Sequence, residues 1–102
     1  MLNVGPSLSS CNTSVSIQDL ACHLHWSCSD IGTNTTFTVQ TKVQGSEWQN
    51  VSECVQMSSN SCDLSQTFTD FYLYNFVRLG VNHRHNEPQW LTEKHCNHLK
   101  DS

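Results

Sequence analysis

Apolar and polar residues alternate along most of this chain. Val15 and Ile17 alternate with Ser14, Ser16 and Gln18, and Leu20, Cys22, Leu24 and Trp26 alternate with Ala21, His23, His25 and Ser27. A period of two marks a strand with one buried face. It predicts a first strand from Cys11 to Gln18, a turn near Asp19, and a second strand from Leu20 to Cys28. Ser29 to Asn34 carries Asp, Gly and Asn and reads as a loop. Phe37, Val39 and Thr41 mark the inward face of a third strand, followed by a turn from Val43 to Glu47 around Gly45. Trp48 and Val51 open a short strand ending near Cys54, and Cys62 to Ser65 form another. Leu73 to Asn82 is the longest strand, with Val77, Leu79 and Val81 on one face. His83 to Pro88 is a polar turn, and Trp90 to Cys96 is the last strand. About seven short antiparallel strands divided by turn signals predict an all-β sandwich. Residues 1–10 read as a flexible lead-in and 11–102 as a single domain.

Composition narrows the class. Six cysteines in 102 residues form an even, dense set, the signature of a disulfide framework made in an oxidising compartment. Three N-glycosylation sequons, at Asn12, Asn34 and Asn50, point the same way and imply that all three asparagines are on the surface. A net charge of -4 with five scattered Lys and Arg residues excludes a phosphate-neutralising patch for nucleic acid. No apolar run is long enough to span a bilayer. The segment Met1-Leu2-Asn3-Val4-Gly5-Pro6 has neither a charged nor an apolar region of the kind a signal peptide needs, so the chain reads as an excised mature domain with an added Met1.

Six histidines invite a metal site. His23 and His25 share a strand face, His83 and His85 flank Arg84, and His95 and His98 bracket Cys96. A structural zinc needs four ligands, usually in close pairs such as Cys-x2-Cys, and no such pair occurs. The expectation is no metal and no cofactor, with His23 and His25 on a solvent face. Ser, His and Asp are present without a nucleophile-elbow frame, and the expectation is no enzyme. Trp26 shares a face with Leu20 and Leu24 and is assigned to the core. Trp48 is expected to pack under a sheet edge beside a hairpin disulfide. Phe68, Phe71 and Tyr72 cluster with Asp70 in a connection, where large apolar groups form either a satellite core or a contact surface. Arg84, at a polar tip, is of the type enriched at interface hot spots.

Leu24-His25-Trp26, Phe37-Thr38-Val39-Gln40, Glu47-Trp48, Cys54 and Cys62 followed by Asp63-Leu64, and Val77-Arg78-Leu79 resemble the first fibronectin type III domain of class II cytokine receptors. That family includes interferon receptors, tissue factor and interleukin-10-type receptors. The resemblance covers roughly Val15 to Ser102, and Cys-x7-Cys-Asp-Leu is its most specific part. It implies a fibronectin type III sandwich in the extracellular part of a single-pass plasma-membrane receptor. The partners it implies are an interferon-like α-helical cytokine and a second receptor chain. Carried over by position, it implies ligand contact through Val43, Gln44, Gly45, Ser46 and Glu47. The same reasoning marks Phe68, Thr69, Asp70, Phe71 and Tyr72, and also Asn82, His83, Arg84 and His85. Two other classes remain: a tissue-factor-like domain that docks a protease, for which Lys42 is the thin support, and a structural adhesion module.

The resemblance also implies a Cys54–Cys62 bridge. Cys22 and Cys28 depart from the family's usual pattern. If the first hairpin turns near Asp19, Cys11 lies opposite Cys28, at a spacing suited to a disulfide. Cys22 begins one strand and Cys96 ends the last, at one pole of the expected sandwich, which favours Cys22–Cys96. The open alternative pairs Cys96 outside this chain and leaves Cys22 a buried thiol.

Overall fold

A computed structural model describes residues 10–19, 21–29, 32, 34–68, 74–83 and 87–96. Its eight strands are β1 (Ser10–Gln18), β2 (Ala21–Ser29), β3 (Thr35–Val43), β4 (Gln49–Asn50), β5 (Ser61–Asp63), β6 (Asn75–His83), β7 (Gln89–Trp90) and β8 (Lys94–His95). One sheet has the order β1-β2-β5. The other runs β4-β3-β6-β7, with β8 also on β6. Every pairing is antiparallel.

Alternation builds the two long pairs. In β1–β2 the register places Cys11 opposite Cys28 and Gln18 opposite Ala21. At the turn Asp19 has φ 51°, the left-handed conformation that a tight hairpin requires and that Asp tolerates. In β3–β6 the register runs from Thr35↔His83 to Val43↔Asn75. The inward positions Cys22, Leu24, Trp26, Phe37, Val39, Val77, Leu79 and Val81 are buried between the sheets together with Leu64 and Val51. Trp26 is 3% exposed, and its ring lies 5.4 Å from that of Phe37. Its Nε1 has no hydrogen-bond partner.

All six cysteines are bonded: Cys11–Cys28, Cys22–Cys96 and Cys54–Cys62. The first crosses β1–β2, and the second ties β2 to the residue after β8. The third closes the connection between β4 and β5.

The short strands differ from the sequence expectation. The strand expected to end near Cys54 stops at Asn50. Val51 donates to Val39 O, and Cys54 turns back on Val51 O at 2.8 Å, so this segment wraps the edge rather than extending along it. β5 ends at Asp63 because the Asp63 carboxylate accepts the Ser65 amide at 2.9 Å, a side-chain turn that competes with the ladder. The expected strand Trp90–Cys96 is two pieces, because the register against β6 shifts by one residue between Gly80↔Trp90 and Val77↔Lys94. One extra residue in one strand is a bulge. At its far end β6 includes Asn82, as expected of the strand, and runs one residue further through His83, which was expected in the turn.

Candidate functional site

The connections at the two ends of β3 and β6 carry most of the candidate binding residues. Val43, Gln44, Gly45 and Ser46 make a tight turn. The Ser46 amide donates to Val43 O at 2.8 Å. The Ser46 hydroxyl donates to the same oxygen at 2.7 Å and accepts from Val43 N at 3.0 Å. Gly45 has φ 90° at the third position, where a type II turn requires glycine. A Cβ there would meet nothing within 4 Å, so the tip is open to solvent. Gln44, Gly45, Ser46 and Glu47 are exposed, and Val43 is half-buried as the last residue of β3.

The Gln44 amide donates to Tyr74 O at 2.9 Å. This bond ties the turn to the connection that enters β6. Tyr74 is 48% exposed, one of two exposed large apolar side chains among the described residues. It was missed in the sequence, although it stands two residues after Tyr72 of the aromatic cluster and precedes buried Asn75. Phe68, expected among the ligand contacts, is instead 4% exposed and part of the core. Its amide and that of Thr67 both reach Leu64 O, so it anchors the start of the connection. Thr69, Asp70, Phe71 and Tyr72 lie outside the described residues.

The two described residues of the third expected loop do not join this pole. Asn82 and His83 pair with Thr36 and Thr35 at the other end of β6. Eight strand steps separate Asn75 from His83, roughly 27 Å. His83 Nδ1 lies 3.4 Å from the Thr35 hydroxyl. Arg84 and His85 lie outside the described residues. Cys96 donates to Asn75 O at 2.9 Å, so Cys96 lies near the pole of Gly45 and Tyr74.

Behind that pole the outer face of the β3–β6 sheet carries a ladder of cations and rings. Arg78 Cζ lies 4.3 Å from the Trp48 ring centre and 4.2 Å from that of Trp90. Its Nε and Nη2 both donate to Gln40 Oε1, at 3.0 and 2.6 Å. Gln40 in turn donates to Asn50 Oδ1 at 2.9 Å. Lys42 Nζ sits 5.2 Å from Trp48 and 5.8 Å from Phe76. Partial burial lowers the Arg78 pKa, against the raising effect of Glu93, and a guanidinium stays charged regardless. Trp48 therefore is not packed under an edge beside Cys54–Cys62. Two cations, Lys42 on β3 and Arg78 on β6, hold its ring across the sheet face, which fixes the residue that closes the Gly45 loop.

The opposite sheet face is polar. His23 and His25 rings stack at 6.2 Å. His25 Nε2 lies 3.1 Å from the Ser16 hydroxyl, and His23 Nε2 lies 3.8 Å from Asp63. The sequon asparagines Asn12, Asn34 and Asn50 are exposed.

A family model described as tissue factor matches residues 2–97. No curated protein matches. Among solved structures, the selenomethionine-substituted chicken interferon gamma receptor alpha chain is similar, with a TM-score of 0.77 and 27% identity. The match covers 87% of the present chain and 43% of the chicken chain.

Proposed function

The chain belongs to the tissue factor family, and on that premise we propose that it is the ligand-binding domain of a cell-surface receptor for an interferon-like α-helical cytokine. It is a class II cytokine receptor-like domain with the sandwich of the interferon gamma receptor. The family and the solved relative are receptor domains rather than enzymes. The finer reading places ligand contact at the pole of Val43, Gln44, Gly45, Ser46 and Glu47, with Tyr74 and the preceding Thr69, Asp70, Phe71 and Tyr72. A second receptor chain completes the signalling complex, and a single membrane span beyond the extracellular part anchors it.

One observation carries this reading. The Gln44–Tyr74 backbone bond fuses an open glycine tip and an exposed tyrosine into one surface on rigid strands. Binding residues on loops held by a rigid scaffold are the usual arrangement for recognition, and tyrosine is enriched at hot spots. Asn82 and His83 stand apart from this contact, because β6 carries them to the other pole.

Surface plasmon resonance with the secreted chain against panels of helical cytokines and coagulation proteases tests the proposal. The expected result is binding to a cytokine that weakens in Tyr74→Ala. Binding to a protease alone would favour the docking-cofactor reading. Silence across both panels would favour an adhesion module.

A further inference from the structure

The two sheets leave a seam along one side. Among the described residues β1 is the outer strand of its sheet and pairs only with β2. Across the seam stand β7, β8 and the bulge between them. A groove of about 380 Å³ runs there, with Cys11, Asn12 and Thr13 on one wall and Trp90, Leu91 and Lys94 on the other. Successive β1 residues point to opposite faces, yet three in a row border the groove. It therefore follows the strand's edge rather than either face.

Asn12 is exposed and begins the sequon Asn12-Thr13-Ser14. A glycan attached to it starts at the groove wall. The other two sequons are elsewhere: Asn34 precedes β3, and Asn50 is on β4, at the opposite edge of the second sheet. The lining suits a sugar. The exposed lining is mostly polar: Thr13, Thr92 and Lys94 supply hydrogen-bonding groups for a sugar's hydroxyls and acetamide, and Leu91 and the rim of Trp90 left free by Arg78 and Gly80 add a smaller apolar border. The edge also needs cover. β1 is nine residues long, Ser-Cys-Asn-Thr-Ser-Val-Ser-Ile-Gln, with no charge and no proline. Such an edge is a template for pairing with another copy.

We propose that the core N-acetylglucosamines of an Asn12-linked glycan seat in this groove, seal the seam between the sheets and cap the β1 edge. The inference rests on the secretory route that the proposed receptor function requires.

The test secretes the 102-residue chain from mammalian cells behind a cleavable leader, as wild type and as Ser14→Ala. That substitution removes the sequon and leaves Asn12 in place. Mass spectrometry of glycopeptides is expected to find Asn12 occupied. Nuclear Overhauser contacts are expected from the core sugar protons to the Trp90 and Leu91 side chains. In Ser14→Ala, amide exchange across 89–94 accelerates several-fold and the chain self-associates on size exclusion. Thr36→Ala and Ser52→Ala, which remove the other two sequons, leave that exchange unchanged. If Ser14→Ala is not secreted, amidase removal of the whole glycan from the folded Thr36→Ala/Ser52→Ala chain, whose one remaining sequon is at Asn12, supplies the comparison. A folded, secreted chain with Asn12 bare overturns the proposal. So does an occupied Asn12 whose sugars touch neither Trp90 nor Leu91 and whose removal leaves exchange unaltered. A chain with the seated glycan that binds no cytokine defeats the receptor reading and leaves this one standing.

Discussion

Arg78 shows what one side chain does on the outer face. Alternation with Val77 and Leu79 puts it outward, and the sequence marks it as a charge in a strand within one of the segments that carry the family resemblance. In the structure its flat guanidinium fills the space between two indoles and forks onto Gln40. Lysine keeps the charge but has neither the plane nor the fork. Arg78→Lys is therefore expected to cost about 1–2 kcal/mol, read as a lower urea midpoint. Arg78→Ala should cost more, because both indoles then lose their packing partner. Asp63 gives a pH signature. Its pKa is lowered from 3.8, first by the Ser65 backbone amide, then by the Ser65 hydroxyl, against slight desolvation and with help from His23. A folded pKa below the unfolded one means that the carboxylate stabilises the fold at neutral pH. That contribution is lost as pH falls through the lowered value, below 3.8. The stability gap between wild type and Asp63→Ala is thus present at neutral pH and narrows in strong acid, measurable as urea midpoints under the two conditions.

At the scale of elements, the four nine-residue strands were legible because a period of two repeats often enough to be seen. β4, β7 and β8 have two residues each, too few for any period. Their positions come from tertiary contacts: Trp48 drawn over Lys42 and Arg78, and Trp90 laid over Gly80. A glycine inside the alternating strand Val77 to Val81 was the available signal, since a strand glycine often marks close approach. A Cβ at Gly80 would stand 2.6 Å from the Trp90 ring, and Arg78 blocks the ring from yielding freely. Gly80→Ala is expected to cost about 1–3 kcal/mol, and a thermal melt checks it. The Cys11–Cys28 pairing followed from hairpin register alone, whereas Cys22–Cys96 also needed the fold. The two disulfides with the most different spans, 74 residues for Cys22–Cys96 and 8 for Cys54–Cys62, should differ in effect. Loop-closure entropy predicts that replacing the first pair by alanines costs about 2 kcal/mol more than replacing the second, as denaturant midpoints would show.

Over the whole molecule, the sandwich and its family were readable from strand pattern and the Cys54–Cys62 segment, while the shape of the binding surface was only half readable. A loop's sequence says that it is a loop, but not which end of the sandwich it occupies. Antiparallel pairing of β3 with β6 decides that. It brings residues 43–47 beside Tyr74 and sends Asn82 and His83 to the far end. Phe68 was misread for a related reason: an aromatic in a connection serves core or contact, and its hydrogen bond to Leu64 turns it inward. The central claim is that one pole binds a helical cytokine. Its most direct test is surface plasmon resonance on the chain and three variants, Tyr74→Ala, Gly45→Val and the double variant His23→Ala/His25→Ala, each first shown to be folded. Tyr74→Ala retains the backbone oxygen that holds Gln44, so the loop survives it. The account predicts affinity losses of about tenfold or more for Tyr74→Ala and Gly45→Val, with the histidine variant equal to wild type. Loss of binding in the histidine variant, with both pole variants unaffected, would contradict it.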